Sequence, residues 1–366
     1  MNAVILLTAM LGTLGQSEQG DSVRVERDRI VAEQAQQAPP AADGDHGSYE
    51  AAVPQDVAAL RAALAAGGAV RLPPGRYLVS QPLVVTRRVD LVLAPGAVLL
   101  ADWTGGPAEA VVRLEPEADG SRLSGLTIDG QGHRVQGLRL RNVADVQIAD
   151  LLITDTGSEG VWLAGCRRIL IQDARLKRTQ TYEGVGHAGA LRVQDSSDVV
   201  VQRVQVWASG GKGVAFGRSR RCVAKDSTVH DTQRDPGDGF YFNNSHDCTV
   251  VRCHVLDPQG NGLKISRRSS RINVRDCRLF KERGVGFALF IQGGLDCQVT
   301  GNHLINRTSR ATLRVHEHPL ANVGGPALRN LITGNHLFSP EGDFFGQAGE
   351  VRDTVYRDNI EIRQDE

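Results

Sequence analysis

Apolar residues in this chain fall in short alternating segments, and the segments themselves recur. One pattern is written about eight times. A glycine, or its stand-in, opens an apolar-polar-apolar run, as in Gly137-Leu138-Arg139-Leu140, Gly160-Val161-Trp162-Leu163, Gly213-Val214-Ala215-Phe216, Gly239-Phe240-Tyr241-Phe242 and Gly262-Leu263-Lys264-Ile265. A few polar residues follow, then a second alternating segment with a small or amide residue inside it. Those inner positions align as Leu151, Ala174, Val204, Ser227, Cys253, Cys277, Asn302 and Asn335, at spacings of 23, 30, 23, 26, 24, 25 and 33. The columns two residues after, three before and five before them are almost wholly apolar, and the residues between are mostly charged. Alternation with period two describes strands with one buried face. A rung this short cannot bury its own face, so successive rungs must stack. The pattern predicts an all-β parallel solenoid with three short strands per rung.

On those columns the chain resembles the right-handed parallel β-helices of the pectate-lyase-like superfamily, from about residue 55 to the C-terminus. Asn302 and Asn335 sit where that family stacks side-chain amides at a tight turn. Val70-Arg71-Leu72-Pro73-Pro74-Gly75-Arg76-Tyr77 is similar to its opening strand and turn, and Leu126-Thr127-Ile128-Asp129-Gly130-Gln131-Gly132 to another of its segments. The resemblance implies a single-stranded β-helix over residues 53–366 with a substrate groove outside the first strand of each rung. It does not choose among the lyases, epimerases, hydrolases, phage fibres and non-catalytic surface proteins that share the fold.

The flanking sequence has its own character. Val4 to Leu14 is an apolar run with the length of a signal-peptide core, although no basic residue precedes it and no clean cleavage site follows. Residues 1–15 are therefore read as a signal peptide, which implies a secreted, periplasmic or envelope protein. The run is too short to span a bilayer. Residues 16–52 are polar and read as a flexible linker. Gln55 to Ala66, ending at Gly67-Gly68, reads as an amphipathic helix that caps the open end of the solenoid.

Charge narrows the partners. The chain has 42 Lys+Arg and 42 Asp+Glu, so no overall field draws it to nucleic acid or to a membrane. Six cysteines suggest disulfides, but Cys253 and Cys277 fall in one inward column and Cys222, Cys248 and Cys297 in another. There they read as stacked thiols packing as small apolar residues. No spacing suggests a zinc site.

The outward column of the groove strands reads Arg139, Trp162, Arg192, Ala215, Tyr241, Lys264, Ala288 and Arg314. Two residues further on come Arg141, Ala164, Gln194, Gly217, Asn243, Ser266, Phe290 and His316. This face is basic and aromatic on a neutral chain, which suits an acidic polysaccharide or oligosaccharide. Aromatic rings stack on sugars, and arginine holds carboxylates bidentately. Arg139, Trp162, Gln194, Asn243, Arg314 and His316 are the expected substrate contacts. Three insertions break the period, at 179–189, 230–238 and 316–328, and long loops on a regular scaffold concentrate function.

His187, Arg192, Asp238, Tyr241 and Lys264 form the candidate catalytic set, with Lys212 on the rung between. Rung spacing places them within ~10–15 Å of one another. A cation beside a uronate carboxylate acidifies the C5 proton, a His or Tyr removes it, and a second group protonates the leaving oxygen or the opposite face. That is polysaccharide lyase or C5-epimerase chemistry. A glycoside hydrolase would need a carboxylate pair, for which Glu159, Glu183, Asp235 and Asp238 are the candidates. The polygalacturonase motifs are missing, and Gly186-His187-Ala188 is only a partial likeness. Asp235-Pro236-Gly237-Asp238 is similar to the Asp-Pro-His-Asp motif of mannuronan C5-epimerases. However, Gly237 replaces the histidine and the motif precedes the groove glycine, so it is read as coincidence. A non-catalytic glycan-binding or surface protein is the third reading. No cofactor is expected. Calcium, which pectate lyases use, finds no dense carboxylate cluster on the groove strands. His316-Glu317-His318 reads as a solvated loop rather than a metal fragment. The repeat is compatible with a monomer or a homotrimer.

Overall fold

The computed structural model describes residues 56–106, 109–180, 189–234, 236–308, 310–319 and 324–363, all within one compact unit, 42–366. Residues 1–52 lie outside the described residues, as do Glu183, Asp235 and His187.

The alternating columns stack as a parallel β-solenoid. Among the described residues, eleven strands from Leu83–Val85 to Phe345–Ala348 form one continuous parallel sheet. A second parallel sheet supplies the other two faces, where the strands Gln147–Thr154, Arg167–Lys177 and Ser197–Trp207 each run through both. The register is the one the columns predict: Leu151 pairs with Ala174 and Ala174 with Val204, while Val229, Val255, Leu279, Leu304 and Leu337 lie in line. Among the described residues the inward positions are buried from Val70 to Leu337, and the last rung is open, with Tyr356 half-buried and Glu361 exposed. No rung closes a core alone, and each apolar face is removed from water by its neighbours.

The opening glycines are there for want of space. A Cβ on Gly213 would lie 2.4 Å from Val229, and one on Gly239 2.5 Å from the carbonyl oxygen of Gly262. One rung departs from the predicted register. Gly286 precedes the equivalent place by two residues, which Ala288 occupies instead, pairing through Leu263 and Leu289. Phe290 therefore stands in the outward column where Ala288 was expected, and Gln292 takes the place expected of Phe290. A glycine two residues early is indistinguishable by composition from the one that sets the register.

The capping helix is Val57–Ala66, slightly shorter than predicted. The Asp56 side chain accepts from the Ala59 backbone N–H at 2.7 Å, and Leu60 and Leu64 close the first rung. At the other end of the inward column the amides form a ladder. Asn302 Nδ2 donates to Asn335 Oδ1, and Asn335 Nδ2 to Asn359 Oδ1, each at 2.9 Å. All six cysteines are free and buried, as the stacked-thiol reading expects. Burial pushes the Cys166 thiol up to about 11 and those of Cys277 and Cys297 up to about 12.

The charged residues between the apolar columns are more ordered than the pattern foretold. At each turn between faces one residue adopts left-handed φ near 50–60°, and these residues stack from rung to rung. One such column reads Asp145, Arg168, Asp198, Arg221, Asp247, Arg271, Asp296, Arg329. Each arginine reaches back to the aspartate one rung earlier with Nε and Nη2 on separate carboxylate oxygens, as Arg221 does on Asp198 at 2.7 and 2.8 Å. Arg203–Asp173, Arg252–Asp226 and Arg218–Asp195 repeat the device at other turns. Left-handed φ costs an arginine roughly 1–2 kcal/mol, and the bidentate pair offsets it in part.

Candidate functional site

The outward face of the eleven-stranded sheet brings the candidate residues into file. Arg139, Trp162, Arg192, Ala215, Tyr241, Lys264, Phe290 and Arg314 occupy successive rungs. Cations and rings pack on each other along this file. The Arg139 guanidinium lies 4.3 Å and that of Arg192 4.9 Å from the Trp162 ring centre, so the indole is held between two arginines. Lys264 Nζ is 5.1 Å from the Phe290 ring, and Arg314 5.5 Å from Phe287. Such contacts hold long cationic side chains flat against the sheet.

A second column lies immediately before five of the opening glycines. It reads Gln136, Glu159, Lys212, Asp238 and Asn261, and all five are buried. Glu159 Oε2 accepts from Gln136 Nε2 at 3.1 Å and from Ser158 Oγ at 2.6 Å, and its Oε1 faces Arg192 Nη1 at 3.2 Å. Arg192 Nε also donates to Gln194 Oε1 at 3.0 Å. Arg192 and Gln194 are thus a braced pair, fixed before any substrate arrives. Asp238 Oδ1 accepts from the backbone N–H of Asn261 at 2.9 Å and from its Nδ2 at 2.7 Å. The opposed carboxylate readings therefore differ in physical state: Glu159 carries an ion pair, whereas Asp238 is held by amide donors.

The centre of the file is the rung of Lys212 and Ala215. Lys212 Nζ lies 4.9 Å from the Tyr241 ring centre. Burial lowers the Lys212 pKa first, Asp238 opposes that, and Lys264 and Arg192 lower it further. Tyr241 is raised from its ordinary value, chiefly by burial, with Asp238 adding and Arg267 opposing. The same cluster therefore contains a phenol held in its protonated form and an ammonium made easier to deprotonate. Burial, helped by Arg141 and Arg113, lowers Arg139.

Arg192, Asp238, Tyr241 and Lys264 come together on four consecutive rungs, with Lys212 among them. His187 lies outside the described residues, in the segment that leads into the Gly189–Gln194 strand. Asn243 faces outward two residues beyond Tyr241, and Arg314 and His316 lie on the last strand but one of the same sheet. His318 is buried against Gly324 rather than solvated, because its backbone N–H donates to Gly325 O at 2.9 Å and draws the chain back onto the rung. No cluster of three metal-ligating side chains occurs among the described residues. The burial of Glu159 and Lys212 was missed from sequence. The available signal was a polar residue immediately before a glycine that has no room for a side chain, repeated on rung after rung.

Comparisons with known proteins bear on the fold. No curated protein matches the sequence. Among solved structures, the A-module of the Azotobacter vinelandii mannuronan C-5 epimerase AlgE6 superposes with a TM-score of 0.65 at 14% identity, over 86% of this chain and 97% of that one. The Dettilon tailspike protein gives 0.62 at 12% identity, over 89% and 73%. The catalytic domain of a GH87 alpha-1,3-glucanase gives 0.51 at 13%, over 88% and 67%. At such identities the likeness is one of fold. No helix among the described residues is long and apolar enough to cross a membrane. The description of the right-handed β-helix region matches residues 117–304, half of the chain, and the chain belongs to that family.

Proposed function

We propose that this protein is a secreted or envelope-associated enzyme that abstracts the C5 proton of a uronic-acid residue within an acidic glycan, as a polysaccharide lyase or C5-epimerase. The observation that carries the reading is the Lys212–Asp238–Tyr241 cluster at the middle of a basic, aromatic groove. Lys264 and Arg192 stand on either side to neutralise the substrate carboxylate, which makes the neighbouring C–H acidic. His187, two residues before the Gly189–Gln194 strand in the sequence, or Lys212 in its neutral form takes the C5 proton. Tyr241, kept protonated by burial, delivers a proton. In elimination the C5–H electron pair forms the C4–C5 double bond, the C4–O bond breaks, and the leaving oxygen receives the proton. In epimerisation the proton returns to C5 from the opposite face. Both are redox-neutral. Folds like that of the mannuronan C-5 epimerase A-module support the reading at the level of architecture.

Hydrolysis is the weaker reading. It requires two carboxyl groups across the scissile bond, and among the described residues Glu159 is engaged by Arg192, Gln136 and Ser158. Incubation with a panel of uronic-acid polymers tests the proposal. Unsaturated product, detected by its ultraviolet absorbance, marks elimination, and changed sugar configuration in the NMR spectrum marks epimerisation. New reducing ends without unsaturation overturn the proposal in favour of hydrolysis. Retention on the polymer with no chemical change overturns it in favour of a binding protein.

A further inference from the structure

The file of outward residues has a period of its own. From Arg139 to Arg314 it reads cation, ring, cation, alanine, ring, cation, ring, cation. On each side of Ala215, cations and rings alternate. Arg139 and Arg192 are two rungs apart with Trp162 between them, and Lys264 and Arg314 are two rungs apart with Phe290 between them. The alternation ends at Arg139: the rung before it carries Arg113, paired with Glu115 at 2.6 Å, and no ring stands between the two arginines. Two rungs span about 9.6 Å, while one rung is close to the advance of a single pyranose residue along an extended chain.

We infer that the groove selects a glycan that turns a carboxylate toward the sheet on every second residue, with its intervening rings lying over Trp162 and Phe290. This rests on the proposed action on a uronic-acid glycan and specifies its substrate. A chain lying along the groove places one sugar on each rung. A sugar over an aromatic rung sets its apolar face against the outward edge of a ring whose faces the neighbouring cations hold. A sugar over a cationic rung directs its carboxylate to the guanidinium or ammonium. Both a two-fold homopolymer of uronates and a copolymer of alternating uronate and neutral sugar meet this condition. The alternation slips at Ala215, where Gly217 is the next outward residue. A Cβ added to Gly217 would meet, among the described residues, only the Gln194 amide, at 3.9 Å and beyond, so neither sterics nor a left-handed φ demands glycine there. The slip coincides with the Lys212–Tyr241 cluster, where the reacting residue has to leave the regular repeat.

The test is calorimetric binding of size-defined uronate oligomers to the intact protein. Affinity should climb in two-residue steps, each roughly tenfold, the worth of one charge-assisted contact. A copolymer of alternating uronate and neutral sugar of equal length should bind as well as the homopolymer when two-fold alternation alone is read. The double variant Phe290→Arg with Arg314→Phe keeps composition and charge but breaks the alternation, and should lower affinity for long oligomers roughly tenfold with an unchanged melting temperature. Equal gains for every added residue, or full affinity in a folded exchange variant, would overturn the inference while leaving uronate recognition intact. No binding by any uronate oligomer overturns both.

Discussion

Lys212 and Tyr241 stand on neighbouring rungs of the groove sheet, with the lysine ammonium 4.9 Å from the centre of the phenol ring. Asp238, buried beside them, raises both groups, while burial drives them in opposite directions, Lys212 down and Tyr241 up. Each residue thus shifts away from its charged form: the lysine moves toward the range of a working base, and the phenol keeps its proton. Tyr241→Phe should lower kcat by about 10²–10⁴ with little change in melting temperature. The acid limb of kcat/KM, set by deprotonation of Lys212 as the base, should lie below the usual lysine range, and Lys212→Met should abolish that limb. Steady-state kinetics across pH on a responsive polymer check both.

The two glycine classes separate cleanly. Gly239→Ala pushes a methyl against Gly262 O and Val255 and should cost about 1–3 kcal/mol. Gly217→Ala enters open space and should stay within about 0.5 kcal/mol of the parent, yet weaken glycan binding. Chemical denaturation read beside a binding titration distinguishes them.

The Asp–Arg columns make stability depend on acid. Asp145, Asp198, Asp247 and Asp296 are held below the usual carboxylate range, first of all by hydrogen bonds from their arginines. Because folded pKa values are depressed, this stabilisation is complete above the unfolded value of about 3.9 and is lost as pH falls through the lower folded values. Melting temperature should hold from neutrality down to that point and then drop, and the drop should be smaller in Arg221→Gln. Differential scanning calorimetry across pH checks it, and a flat profile would sink the idea.

Burial suppresses the thiolates of Cys166, Cys253, Cys277 and Cys297. Native protein at mildly alkaline pH should therefore resist alkylation at these four positions, and denatured protein should react at all of them. Mass spectrometry of alkylated peptides reads the difference.

The fold was legible because its signal is summed over many rungs. One misplaced glycine shifted a single rung, and the columns from Leu151 to Asn335 still fell into line. The site was legible in part. Register alone put Arg192, Tyr241 and Lys264 on one face. It could not reveal that Arg192 is braced by Glu159, or that Lys212 reaches from the start of its strand onto the Tyr241 ring, since both depend on side-chain paths that alternation does not encode. The arginine columns escaped for another reason. Their left-handed φ belongs to no arginine preference, and the alternation of Asp145, Arg168 and Asp198 acquires meaning only once the rungs are stacked.

The central claim is proton abstraction at C5, and solvent deuterium reads it most directly. Polyuronate incubated with the protein in D2O should acquire deuterium at C5 or yield unsaturated ends, and Tyr241→Phe should suppress either product while polymer binding persists. Polymer recovered bound but unlabelled and unbroken, or labelling that survives Tyr241→Phe and Lys212→Met together, would contradict the account.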